Sequence, residues 1–138
     1  MKSKEILMYV DIANRIAQES YAVRLKVGAV FVSENGVISI GYNGTPSGWD
    51  NTCEYKTDDD KLVTYDHVSH AEENLFAKLM KQGVSTKNGI IVLTHAPCIN
   101  CAKIMVNAGI TSVYYQNEYR ILDGINHLKR GGVNVIKL

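Results

Sequence analysis

Two short segments of this 138-residue chain carry side chains that could do chemistry together. One is His70-Ala71-Glu72, preceded by Ser69. The other is Pro97-Cys98-Ile99-Asn100-Cys101. Cys98 and Cys101 are three apart, so on a helix beginning near Pro97 both sulfurs face one point. A helix N-terminus carries partial positive charge and lowers a thiol pKa, which favours the thiolate that a metal requires. His70 would supply a third donor from a neighbouring helix. One neutral imidazole and two thiolates suit zinc. They leave a fourth tetrahedral position open for water, which separates a catalytic zinc from a closed structural one. Zinc lowers the pKa of such a water towards about 7. Glu72, two residues beyond His70, is placed as an acid/base that moves protons rather than as a fourth ligand. A CxxC by itself also suits a redox pair or half of a four-cysteine structural site. The second alternative is weak, because only Cys53 is left over and there is no second CxxC.

These segments need elements to hold them. Apolar spacing at Ile6, Val10, Ala13 and Ala17 predicts a helix over 4–18, with Ser3 as its N-cap. VGAVFVS (27–33) and VISIGY (37–42), separated by Glu34-Asn35-Gly36, predict a β-hairpin. Residues 43–66 show no clear period and hold the glycine-rich NGTPSG and the acidic Asp58 to Asp60. A connection this long is usually functional or mobile. Helical spacing returns over 69–81, with Ala71, Leu75 and Leu79 on one face, Phe76 and Met80 flanking it, and Gly83 as its stop. Then come a strand at 90–94, a helix at 97–108, a strand at 112–115, a helix at 118–130 and a strand at 133–138. Strand-helix-strand repetition predicts parallel pairing with right-handed crossovers, and the hairpin adds an antiparallel edge. Both chemical segments open helices after irregular or strand sequence. In an α/β fold that is the carboxyl end of the sheet, where ligands bind.

Length and composition bound the possibilities. Apolar residues make up 46% of the chain, which predicts one packed domain over 1–138. The net charge of +1 gives no support for a nucleic-acid-binding face. No apolar run approaches the roughly 20 residues of a membrane span, so no membrane contact is expected. The lysines of Met1 to Glu5 are not followed by a signal-peptide core, and three cysteines do not suggest a disulfide framework. A cytoplasmic protein is expected, in a host's cytoplasm if the source is a phage.

The order H-x-E then P-C-x-x-C is that of zinc nucleobase deaminases. The similarity extends further. RLKVGAVFVSENGVISIGYNGTPSG (Arg24 to Gly48), Asn51-Thr52-Cys53-Glu54, SHAEEN and THAPCINCAKIMVNAGI resemble the deoxycytidylate (dCMP) deaminase family, from about Tyr21 to Tyr119. The resemblance implies a three-layer α/β/α cytidine-deaminase-like fold with a five-stranded mixed sheet. It implies hydrolysis of dCMP to dUMP and ammonia, supplying dUMP for dTTP synthesis. His70, Cys98 and Cys101 fall on its zinc ligands and Glu72 on its acid/base. Asn43 falls on the asparagine that contacts the sugar, the amide near Ala71 on the one that holds the pyrimidine carbonyl, and Tyr119 on an aromatic position beside the substrate. The resemblance further implies a homo-oligomer, often a hexamer, activated by dCTP with Mg2+ and inhibited by dTTP. Gly41, Tyr42, Gly44, Thr45 and Gly48 fall in that regulatory segment.

Other residues keep two readings. A 5′-phosphate needs cations or backbone donors, and Arg24, Lys26 and Arg120 are candidates. Each could equally be a solvated surface charge. His95 either lines the pocket or packs behind it. Asp58 to Asp60 either join the regulatory segment or form a solvated loop. The resemblance includes phage members with a second, structural zinc; Cys53 and His67 are present here, but no cysteine precedes Cys53 to complete such a site, so Cys53 reads as a packed or loosely exposed thiol. Rival readings are a nucleic-acid cytidine or adenosine deaminase, which should show a basic face, a riboflavin-pathway deaminase, and free cytidine deaminase. A further rival is a non-catalytic, competence-associated relative that keeps the zinc as a staple. Glu72 separates that last one from an enzyme.

Overall fold

The computed structural model describes residues 2–138. Helix α1 (Ser3–Ala17) buries Tyr9, Val10, Ala13 and Ala17, the three- and four-residue spacing read from the sequence. Its N-cap is Lys2, not Ser3. The amides of Glu5 and Ile6 bond the Lys2 carbonyl, so Ser3 already lies inside the first turn, where its hydroxyl does not cap.

Strands β1 (Gly28–Val32) and β2 (Ile38–Tyr42) form the expected antiparallel hairpin, with Val30 opposite Ile40. The loop after β2 contains a second, smaller hairpin of β3 (Glu54–Lys56) and β4 (Leu62–Thr64). Three-residue strands are too short to show a period, so the sequence carries no sign of them. Asp58, Asp59 and Asp60 are the exposed tip of this hairpin, with Asp60 at φ 60°. Helix α2 (Ala71–Gln82) follows and stops at Gly83, which adopts the left-handed conformation. It buries Ala71, Leu75, Phe76 and Leu79, while Met80 turns to solvent.

Strand β5 (Ile90–His95), helix α3 (Ile99–Asn107), strand β6 (Ser112–Asn117), helix α4 (Asp123–Arg130) and strand β7 (Asn134–Lys137) complete the fold. Helix α4 is shorter than the 118–130 expected. Residues 118–122 lie outside any helix and place Tyr119 at the cavity described below.

The main sheet runs β2-β1-β5-β6-β7. β1 pairs antiparallel with both β2 and β5, whereas β5-β6 and β6-β7 are parallel, so the sheet is mixed. Strand alternation builds two cores. Val30, Val32 and Val92 face α1. Ala29, Phe31, Ile91, Leu93 and Val113 face α2, α3 and α4. The result is the three-layer α/β/α arrangement. Phe31, Leu75, Ile91 and Leu93 are fully buried, and truncating one to alanine costs roughly 2–5 kcal/mol. That core is the rigid floor beneath the ends of α2 and α3.

Candidate active site

The start of α2 is fixed from three sides. Gly44 and Ser69 exchange backbone hydrogen bonds of 3.1 and 2.9 Å, tying the glycine-rich loop to the residue before His70. The Glu73 carboxylate accepts from the His70 amide at 2.7 Å, and the Asn74 side chain donates to the Tyr42 carbonyl at 2.8 Å. Gly41 lets the helix lie directly on β2, because a Cβ there would sit 2.5 Å from the Ala71 carbonyl oxygen. His70 is the N-cap, so Glu72 occupies the second helical position.

The cysteines are held from the sheet. The turn after β5 is braced by Asn117, whose carbonyl accepts from Ala96 N–H and whose side chain donates to the Thr94 carbonyl, each at 2.8 Å. Helix α4 approaches so closely that a Cβ on Gly124 would fall 2.0 Å from the Pro97 carbonyl. Cys98 caps α3 and Cys101 lies within its first turn. The helix therefore begins after Cys98 rather than at Pro97, and both sulfurs still converge.

His70 Nδ1 stands 3.5 Å from Cys98 Sγ and 3.4 Å from Cys101 Sγ, and the three donor atoms lie within 4.8 Å of one another. The donors favour one thiolate before any metal is considered. The Cys101 thiol and His70 hold Cys98 down at about 3. Cys101 is raised mainly because its thiol serves Cys98, and His70 rises to about 9 mainly through the same sulfur. A divalent cation would take the place of the protons shared among them. One imidazole nitrogen and two sulfurs converging on a point is a donor set that fits zinc.

Glu72 is 4% exposed, and burial lifts its carboxyl to about 7. A carboxyl balanced near neutrality can both accept and donate a proton at working pH. His70, Cys98 and Glu72 line a cavity of about 510 Å³, with Cys101 buried outside its lining, and that volume is within the range of small-ligand sites. Ala71, Asn43, Arg24 and Tyr119 also line it. Burial raises the Tyr119 phenol to about 12, so it is neutral at pH 7.

Asn43 reaches the cavity with much of its amide engaged. Its Oδ1 accepts from Val27 N–H at 2.9 Å and its Nδ2 donates to the Leu25 carbonyl at 2.8 Å. One N–H and one lone pair remain for a ligand. His95 is not among the lining residues, and its ring stacks on Tyr119 with centroids 6.2 Å apart. Thr94 Oγ1 accepts from the Gly28 amide at 3.0 Å and lies 2.8 Å from His95 Nδ1. Burial lowers the His95 pKa, in keeping with a neutral ring.

Lys26 lines a separate shallow depression beside Ser20, Tyr21 and Ala22, and exposed Arg120 lines neither that depression nor the main cavity. Of the three cations considered for a phosphate, Arg24 is the one in the cavity with the metal donors. Gly41, Tyr42, Gly44, Thr45 and Gly48 line a different cavity of about 530 Å³, together with Trp49. His67 stacks on Tyr65 and packs at a tilt against Trp49, and Cys53 is buried with its thiol facing the Asn51 carbonyl. Among the described residues, His70, Cys98 and Cys101 form the one group of three or more donors close enough to share a metal. Sequence reasoning missed Glu54, Thr64, Thr94 and Asn117. The first two lie on the unrecognised hairpin, and the last two act through bonds to backbone that no local pattern reveals.

The profile of the cytidine and deoxycytidylate deaminase zinc-binding region matches residues 3–117, and this chain belongs to that family. A solved structure of dCMP deaminase from the cyanophage S-TIM5, in complex with dCMP and dUMP, superposes with a TM-score of 0.91 at 41% identity, covering 100% of this chain and 99% of that one. ComE operon protein 2 of Bacillus subtilis is 38% identical over 108 residues, 76% of this chain and 55% of that protein. Human deoxycytidylate deaminase is 35% identical over 118 residues, 80% of this chain and 63% of that enzyme. The chain thus matches less than two thirds of the length of these two relatives.

Proposed function

We propose that this chain, as a single deaminase domain over 1–138, converts dCMP and water to dUMP and ammonia. The observation that carries this is the buried Glu72 carboxyl beside a His-Cys-Cys donor set, in one cavity with Arg24. Zinc, held by His70, Cys98 and Cys101, supplies Lewis acidity that makes water a nucleophile near neutral pH. Glu72 takes one proton of the attacking water and passes it to the ring nitrogen, then takes the second proton from the hydroxyl added to the ring carbon and delivers it to the amino group, which leaves as ammonia as that oxygen becomes the carbonyl. The first amides of α2, at Ala71, are free donors for the pyrimidine carbonyl. Tyr119 packs beside the base, Asn43 offers its remaining amide capacity to the sugar, and Arg24 meets the 5′-phosphate. The likeness to the cyanophage enzyme solved with dCMP and dUMP supports the choice of substrate.

Regulation belongs to the same reading. The cavity at Gly41 to Trp49 suits a dCTP activator with Mg2+, or dTTP as inhibitor, in a homohexamer working in a bacterial or host cytoplasm. Rates on dCMP, deoxycytidine, CMP and a cytosine-containing oligonucleotide, with and without dCTP, test this directly. Preference for dCMP is expected. Equal rates on deoxycytidine would remove the phosphate site, and no turnover of any of them would favour a non-catalytic relative that keeps the zinc as a staple.

A further inference from the structure

The wall of the cavity at residues 22–27 has no secondary structure of its own before β1 begins. Side chains from elsewhere hold it instead. Ser20 Oγ accepts from Ala22 N–H and donates to the Asn43 carbonyl, while Asn43 secures Leu25 and Val27. The central two residues depend on Glu54. Its Oε2 accepts from the amides of Val23 and Arg24, at 2.8 and 2.9 Å. Glu54 is 9% exposed, lines the cavity, and has no salt-bridge partner among the described residues. A nearly buried carboxylate at the wall of a cavity proposed to take a phosphate dianion is electrostatically unfavourable, so its presence calls for a compensating role. The two amide bonds supply that role, because two backbone donors on an irregular strip would otherwise have no protein partner.

The same hairpin then reaches Arg24 a second time. Arg24 Nη1 donates to Thr64 Oγ1 at 3.1 Å, and Thr64 sits opposite Glu54 in the β3-β4 register. Glu54 fixes the Arg24 main chain and Thr64 fixes the guanidinium, from one pair of facing residues. One of five guanidinium donors is used, leaving four for a ligand. A long, rotamer-rich side chain is thereby ordered before substrate arrives, which reduces the entropy lost on binding.

We propose that Glu54, with Thr64, is a positioning pair that sets Arg24 for the 5′-phosphate, so that the β3-β4 hairpin determines nucleotide-over-nucleoside preference. This rests on the deaminase reading above. Steady-state kinetics on dCMP and deoxycytidine, with the zinc-loaded full chain, test it in three variants. Glu54→Ala should raise KM for dCMP at least tenfold, leave kcat within about twofold, and leave kcat/KM for deoxycytidine within about threefold. Glu54→Gln keeps an acceptor oxygen of the same reach and removes the negative charge, so its KM for dCMP should stay near wild type or fall. Thr64→Val should raise KM for dCMP several-fold with deoxycytidine unchanged. If Glu54→Ala does not fold, the other two variants decide. Equal losses on both substrates, or a Glu54→Gln enzyme as impaired as Glu54→Ala, would overturn the proposal. A wild-type protein inactive on both substrates would instead strike the deaminase reading itself.

Discussion

Replacing Glu72 with glutamine should make the enzyme slower and the metal-free protein more stable, and the two effects come from one burial. The side chain is 4% exposed, and its carboxyl is lifted from an ordinary 4.5 to about 7, first by desolvation. A raised folded-state value means that the unfolded chain ionises first as pH rises. The stabilising effect of the protonated form is complete below about pH 4.5 and is lost as pH climbs through 7. At roughly 1.4 kcal/mol for each pH unit between the two values, wild type gives up about 3 kcal/mol by pH 8.5 and under about 1 kcal/mol at pH 5. Glutamine carries no such loss. In chain stripped of metal by a chelator, Glu72→Gln should therefore melt roughly 10 °C higher than wild type at pH 8.5, with a small difference at pH 5. The zinc-loaded variant should retain its metal, since Glu72 is not among the ligands, while kcat for dCMP falls by about 10²–10⁴. Calorimetry at the two pH values, metal analysis and a deamination assay give the three readings. Turnover within tenfold of wild type would remove Glu72 from proton transfer. A variant less stable than wild type at pH 8.5 would refute the burial argument.

Cys98→Ser and Cys101→Ser should each bring zinc content well below one per chain, measured by mass spectrometry of the metal, with loss of activity. Chelation should lower the melting temperature, and zinc at about 100 times its Kd should restore about 2.7 kcal/mol of stability. Arg24→Ala should reduce the dCMP-to-deoxycytidine ratio of kcat/KM at least tenfold, and Lys26→Ala should not, because Lys26 lies outside the cavity. Gly124→Ala places a methyl 2.0 Å from the Pro97 carbonyl, so it should cost roughly 1–3 kcal/mol and weaken zinc retention by displacing Cys98. Gly44→Ala, with nothing within 4 Å of its Cβ, is the matching control for thermal stability.

What the sequence reveals and what it conceals follow from how far apart the cooperating residues lie. His70, Glu72, Cys98 and Cys101 are legible because each pair sits within one helical turn, where spacing converts directly into geometry. The long helices are legible because each buries a face long enough to show its period, and β1 and β5 because they are continuous apolar, β-branched runs. Glu54 and Arg24 are 30 residues apart, and Arg24 and Thr64 are 40 apart. They meet because a hairpin of two three-residue strands folds across an irregular strip, and neither piece carries a periodic signal. Asn43 is legible as a site residue by resemblance, but its bonds to Leu25 and Val27 give it a second role that only the tertiary structure displays. The same is true of His95. Adjacent to the cysteine segment in sequence, it does not line the cavity but stacks on Tyr119, which does. Chemistry near the metal donors is thus encoded locally. The wall that would choose between nucleotide and nucleoside is encoded in contacts between residues 16 to 40 positions apart, so the identity of the reacting group can be read along the chain while its substrate preference depends on the fold.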